Sequence, residues 1–165
     1  MSLRGLSRCM KIRSYNTADT AQIVALFFDS VRNGTGDHYT REQREAWAPE
    51  VPNAQEWAAR LGALHTFVAE DDAGIAGFMT LGEDGHIDLA YVRSDCIGRG
   101  VAQRLYEVIE AAAIDLKLKR LFSEASDLAR RFFEKHGWRL IETRQVERYG
   151  VALTNHRMEK LFCDT

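Results

Sequence analysis

The sequence predicts a mixed α/β fold, mostly antiparallel, with about seven strands in the order β-α-α-α-β-β-β-α-β-α-β-β. Three observations predict it. Between residues 65 and 92, three short apolar runs are separated by the turn clusters Asp71-Asp72-Ala73-Gly74 and Gly82-Glu83-Asp84-Gly85, the pattern of an antiparallel meander. From Val101, apolar residues recur at Leu105, Val108, Ile109, Ala112 and Leu116, one face of a four-turn helix. Between them lies Ile97-Gly98-Arg99-Gly100-Val101-Ala102. Strand, glycine loop and helix N-terminus in that order can receive a phosphate on main-chain N–H groups.

The elements follow in chain order. Residues 11–15 form a short strand. Asn16, Thr17 and Asp19 offer N-cap oxygens, and Ile23, Val24, Phe27 and Val31 have helical spacing, so a helix spans 18–31 with a loop over 32–39. Thr40 and Gln43 form a capping box for a second helix that ends before Pro49. Asn53 and Glu56 repeat the signal for a third, to about Leu61. Strands 65–70, 75–81 and 86–92 make the meander, and the long helix follows the glycine loop. Lys117, Lys119 and Arg120 at its end read as complements to the helix dipole. Residues 121–125 form a strand. Ser126 or Asp127 caps a helix to about His136, ended by Gly137. Two further strands, 139–148 and 151–162, meet at Tyr149-Gly150.

The bulk properties bound the function. A chain of 165 residues suits one domain with a real core. We place that domain at residues 10–162 and read residues 1–9, ahead of a second Met, as an N-terminal extension or cloning remnant. A net charge of −2 disfavours a nucleic-acid partner. No apolar run reaches the roughly 18 residues of a membrane helix. Cys9, Cys96 and Cys163 are scattered and form no C-x-x-C pair, so no metal site or disulfide framework is expected, and a cytoplasmic location is. His65, His136 and His156 lack metal-ligand spacing. A dinucleotide-binding fold would need alternating βα units and G-x-G-x-x-G, and a P-loop would need a Lys-Ser/Thr pair; both are missing.

Two motifs together identify a family. The glycine loop just quoted, and Ala129-Arg130-Arg131-Phe132-Phe133-Glu134-Lys135-His136-Gly137-Trp138, resemble the Arg/Gln-x-x-Gly-x-Gly/Ala and Asn-x-x-Ala-x-x-Phe-Tyr-x-x-x-Gly-Phe motifs of the GCN5-related N-acetyltransferases (GNAT). Within that family, residues 37–49 and 151–160 look most like the bacterial YafP-type enzymes. The resemblance implies the acyl-CoA N-acyltransferase fold: a mixed, mostly antiparallel central sheet of about seven strands with helices on both faces. It implies acetyl-CoA as cofactor. The pyrophosphate would lie on the amides of Ile97, Gly98, Arg99, Gly100, Val101 and Ala102, and the pantetheine arm along the main chain of Ala90, Tyr91 and Val92. Acceptors would be a small-molecule or protein amine, and a homodimer is in keeping with many relatives.

Three positions depart from the motifs. Ile97 stands where Arg or Gln is usual. Ser126 replaces Asn and either bonds the coenzyme arm or only caps its helix. Phe133 replaces the Tyr that protonates the departing thiolate in many relatives, and reads as packing beside the coenzyme. The amine must lose a proton before attack. His86 and Asp88, two apart on one expected strand and so on one face, are the candidate bases, with Glu70 behind them. A main-chain N–H such as that of Val92 would face the developing oxyanion. Tyr39, Tyr149 and Tyr106 are the phenols available as proton donors, Tyr106 reading chiefly as packing. His38, Tyr39, Trp47 and Tyr149 are the expected acceptor-site residues, core burial being the competing reading for Trp47. A catalytically weak CoA-binding regulatory module stands as the alternative to an enzyme.

Overall fold

The structure is a computed structural model, and it describes residues 9–36 and 38–163; the proposed extension, apart from Cys9, lies outside them. Strand β1 (Lys11–Ser14) leads through a short 3₁₀ turn into α1 (Thr20–Gly34), followed by α2 (Arg41–Trp47) and α3 (Ala54–Gly62). Then come β2 (His65–Asp71), β3 (Gly74–Leu81) and β4 (Ala90–Val92), and after a second 3₁₀ turn α4 (Val101–Asp115). The chain ends with β5 (Arg120–Ala125), α5 (Asp127–Lys135), β6 (Arg139–Arg148) and β7 (Val151–Leu161). The seven strands divide into two antiparallel sheets, β1-β2-β3-β4 and β5-β7-β6.

The local signals act as expected. Thr40 accepts the N–H of Gln43 while the Gln43 side chain takes that of Thr40, and Asn53 accepts from Glu56. Gly137, at φ +84°, ends α5 with the N–H groups of Gly137 and Trp138 on the carbonyls of Glu134 and Phe133, a Schellman close. Helix α1 runs three residues past its expected end. The Arg44 guanidinium of α2 donates to the Arg32 carbonyl at 2.6 Å, and the Thr35 hydroxyl to that of Val31 at 2.6 Å. These bonds satisfy carbonyls that water would otherwise have to reach.

Two apolar clusters lie on opposite sides of the first sheet, as alternation along β3 requires. Phe78 packs with Ile23, Phe27, Trp57 and Leu61 of α1 and α3. Met79 packs with Val101, Leu105 and Ile109 of α4 and reaches Phe133, Trp138 and Met158. Gly77 lets α4 lie close. A Cβ there would stand 2.9 Å from the Val101 side chain and 3.1 Å from the Tyr91 carbonyl.

The expected strand over 86–92 is not one strand. Only Ala90–Val92 pair with β3, and His86 instead makes a single parallel bridge to Phe122 of β5. Two local features divert the chain. Gly85, at φ +93°, gives its carbonyl to the Phe122 N–H at 3.0 Å, in a position where a Cβ would collide with the Arg120 carbonyl. The Leu89 N–H turns to the Thr80 hydroxyl at 3.0 Å rather than to a strand carbonyl, a break in the ladder that bends the strand. Ile87 therefore joins the α4 cluster and Leu89 the α1 cluster, whereas residues two apart on a regular strand would share a face. The expectation that spacing places His86 and Asp88 on one face fails for this reason.

Candidate active site

The diverted segment is what opens a cleft. Past the bridge at His86 the two sheets part: β4 pairs only with β3 and β5 only with β7, and the gap between β4 and β5 is the candidate cleft. On β4, Arg93 donates to the Ala76 carbonyl and Thr80 to that of Leu89, with Tyr91 opposite Phe78. Odd-numbered residues thus bond to β3. The N–H and C=O groups of Ala90 and Val92 point the other way, into the cleft, where an extended ligand could add as a strand.

At the end of β4 the chain turns through Ser94–Cys96 to α4. Gly98 and Gly100 both lie in the left-handed region, at φ +81° and +82°. A Cβ on either would meet nothing within 4 Å. Their requirement for glycine is therefore a backbone one. Gly100 is the N-cap of α4, and no side chain caps the helix; no acidic residue sits in its first turn. The N–H groups of the first turn of this 15-residue helix thus have no side-chain cap, and such a set of donors, with the helix dipole, can receive an anion. The donor set fits a pyrophosphate, and Ile97, 38% exposed, adds only apolar surface.

The other expected residues fall in distinct places. Ser126 caps α5, its hydroxyl accepting the Ala129 N–H at 3.2 Å. Phe133 is 2% exposed and stacked on Trp138 at 4.2 Å, so it is core and presents no face to the cleft. Tyr106 is core as well, its hydroxyl taking the Trp138 indole N–H at 3.0 Å, and burial pushes its pKa up. Tyr149 is 80% exposed at the tip of the β6–β7 hairpin, at φ +51°. His38 is half-buried in the turn before α2.

His86 and Asp88 are handed to separate partners. His86 Nε2 lies 2.6 Å from Glu124 Oε2, and its ring stacks on Phe122 at 4.8 Å. Asp88 Oδ2 takes two bonds from Arg60, at 2.6 and 2.9 Å. A carboxylate can only accept, so in the neutral imidazole the Glu124 contact places the proton on Nε2 and the lone pair on Nδ1. Tyr91 lies between Phe27 and Phe78. Burial pushes its pKa up to about 12, with the Trp47 side chain, Arg148 and Arg60 opposing. Trp47 bridges Tyr91 and Tyr39, at 6.3 and 5.4 Å between ring centroids, and is only partly buried.

Two features had no signal in the sequence. Asp127 Oδ1 lies 2.6 Å from Nε2 of buried His156, whose Nδ1 meets the Thr143 hydroxyl at 3.0 Å. The Tyr39 hydroxyl accepts the Asp127 N–H at 2.8 Å. These contacts join residues 29 and 88 positions apart, and no spacing rule links them. A surface hollow of about 410 Å³ lies beside Asp29 and Arg93, apart from β4 and the N-terminus of α4. Its polar groups are already engaged, Asp29 by the Ser94 N–H and Arg93 by Asp71 and Asp95. Among the described residues no group of His, Cys, Asp and Glu could hold a metal ion.

Residues 35–160 match the acetyltransferase (GNAT) domain model. The chain belongs to the GNAT family. A GNAT relative, the uncharacterized N-acetyltransferase YafP of Escherichia coli (strain K12), is 30% identical over 149 residues, which are 90% of this chain and 94% of YafP. Among solved structures, the GCN5-related N-acetyltransferase "Aminotransferase, Class-II" from Rhodopseudomonas palustris matches with a TM-score of 0.85 and 34% identity, over 92% of this chain and 95% of that one. The yncA protein of Salmonella typhimurium, solved with acetyl-CoA, matches at a TM-score of 0.75 and 15% identity, over 94% and 95%, a likeness of fold alone. No helix among the described residues is long and apolar enough to cross a membrane.

Proposed function

We propose that this GNAT enzyme transfers the acetyl group of acetyl-CoA directly to the amine of a small molecule or a protein. The observation that carries the reading is the uncapped, glycine-led N-terminus of α4 beside the unpaired edge of β4. The amides of residues 97–102 hold the pyrophosphate, and the outward main-chain groups of Ala90 and Val92 hold the pantetheine arm, those of Tyr91 being bonded to β3. The Val92 N–H, aimed into the cleft, faces the thioester oxygen as charge gathers on it. With both substrates in one cleft, positioning supplies much of the acceleration.

His86 is the better placed of the two candidate bases. Its Nδ1 lone pair is left available by the Glu124 contact, whereas Asp88 is already held by Arg60 and serves to order the acceptor side. His38, Trp47 and Tyr149 belong to that side, where the α1–α2 segment and the β6–β7 hairpin approach β4. The GNAT structures that hold acetyl-CoA or CoA, from Salmonella typhimurium and Thermoplasma acidophilum, support the choice of donor.

The deciding experiment follows free thiol release from acetyl-CoA over a panel of small amines and peptide N-termini. Acceptor-dependent release is expected. Tight acetyl-CoA binding with no turnover for any amine refutes the enzyme and favours a CoA-binding regulatory module, the reading prompted by the absence of a hydroxyl at Phe133.

A further inference from the structure

A row of aromatic rings runs from β4 to the start of α5. The row starts at Tyr91 on β4, passes to Trp47 at 6.3 Å and on to Tyr39 at 5.4 Å. It ends where the Tyr39 hydroxyl accepts the Asp127 N–H, at the first turn of α5 just past β5. That anchor is fixed on its far side. Asp127 holds buried His156, His156 meets Thr143 of β6, and Ser126 caps the helix. Tyr39 is 7% exposed, so its ring has little freedom, and its hydroxyl is held at the N-terminus of α5, directly after β5.

The hydroxyl can also give a proton. Its oxygen takes a backbone N–H, so its own hydrogen is not used in that bond. Burial pushes its pKa up from the ordinary phenol value, with the Asp127 N–H and the Ser126 hydroxyl opposing. Of the other two phenols the sequence offered as donors, Tyr106 is in the core and Tyr149 is out at the hairpin tip.

Resting on the acetyl-CoA reading above, we propose that Tyr39 is the catalytic acid that protonates the coenzyme A sulfur as it departs. The acceptor nitrogen contributes its electron pair to the new C–N bond. The C–S bond breaks with its pair on sulfur, and the Tyr39 proton passes to that sulfur. The phenolate recovers a proton from water, which balances the proton the amine gives to its base. Phe133 has no part in this step.

The test places 3-fluorotyrosine at position 39 and reads its fluorine resonance. Coenzyme A should move the resonance, and desulfo-coenzyme A, which lacks only the sulfur, should move it to a clearly different position. Tyr39→Phe should keep its acetyl-CoA affinity within about threefold by calorimetry while kcat falls by about 100-fold. The alkaline limb of kcat should move to lower pH in the fluorotyrosine protein, whose phenol is more acidic. A purely structural Tyr39 would not shift that limb. The proposal is overturned if the resonance is the same with both ligands, or if Tyr39→Phe keeps kcat within threefold. If coenzyme A does not bind the wild-type protein at all, the acetyl-CoA reading falls and the Tyr39 proposal with it.

Discussion

Replacing Gly100 with glutamate should remove acetyl-CoA binding while leaving a folded protein. Gly100 sits at φ +82°, where an L residue costs about 1–2 kcal/mol. Because a Cβ there meets no atom within 4 Å, no packing penalty adds to it, and the new carboxylate recovers part of the cost at the positive end of α4. For a domain of this size about 1 kcal/mol lowers Tm by roughly 2–4 °C. The effect on binding is far larger. A carboxylate about 5 Å from one phosphate charge, at an effective dielectric of about 20, repels it by about 3 kcal/mol, roughly 200-fold in Kd. The carboxylate also competes for the amides the phosphate needs. Gly100→Ala carries the same backbone strain without the charge and separates the two effects. Calorimetric titration with acetyl-CoA, alongside thermal melts of all three proteins, reads both quantities. A folded Gly100→Glu protein that binds acetyl-CoA within threefold of wild type would refute the assignment of the loop.

Other perturbations act elsewhere. His86→Ala and Asp88→Asn should each lower kcat more than they weaken acetyl-CoA binding, with the larger loss, about 100-fold, at His86; unchanged kcat in both would send the search for the base to other residues. Lys117 occupies the left-handed position after α4, at φ +58°, where its N–H and that of Leu118 close the helix on Ile114 and Ala113. Lys117→Gly should therefore stabilise the protein by about 1 kcal/mol, visible as a rise in Tm of a few degrees. The pKa of Asp19 is depressed chiefly by Arg13. A depressed carboxyl contributes its stability above its unfolded pKa, about 3.9, and loses it as pH falls through the folded value. The difference in urea midpoint between wild type and Asp19→Asn should thus be full at pH 6 and shrink as pH falls below the ordinary carboxyl range. A difference that persists at low pH would mean that Asp19 acts only through packing.

The sequence by itself determined the parts of this protein that depend on near neighbours. Caps at Thr40 and Asn53, the close of α5 at Gly137, the apolar stripe of α4 and the glycines before it are decided within a few residues, and each stands where spacing placed it. Two motifs on those elements were enough to indicate the family. What the sequence could not show depends on groups brought together from far along the chain. The run over 86–92 reads as one strand because its residues suit one. Its division into a bridge on β5 and a short β4 follows from the Thr80 hydroxyl and the Gly85 approach to Arg120, both set by tertiary packing. That division separated β4 from β5 and gave His86 to Glu124 and Asp88 to Arg60. The same holds for Tyr39, which was one phenol among three until the fold put its oxygen on the Asp127 amide, 88 residues away. Capping and amphipathic spacing are short-range and survive in a linear reading. The positions of the candidate catalytic side chains are set by contacts between elements, and only the folded chain specifies those.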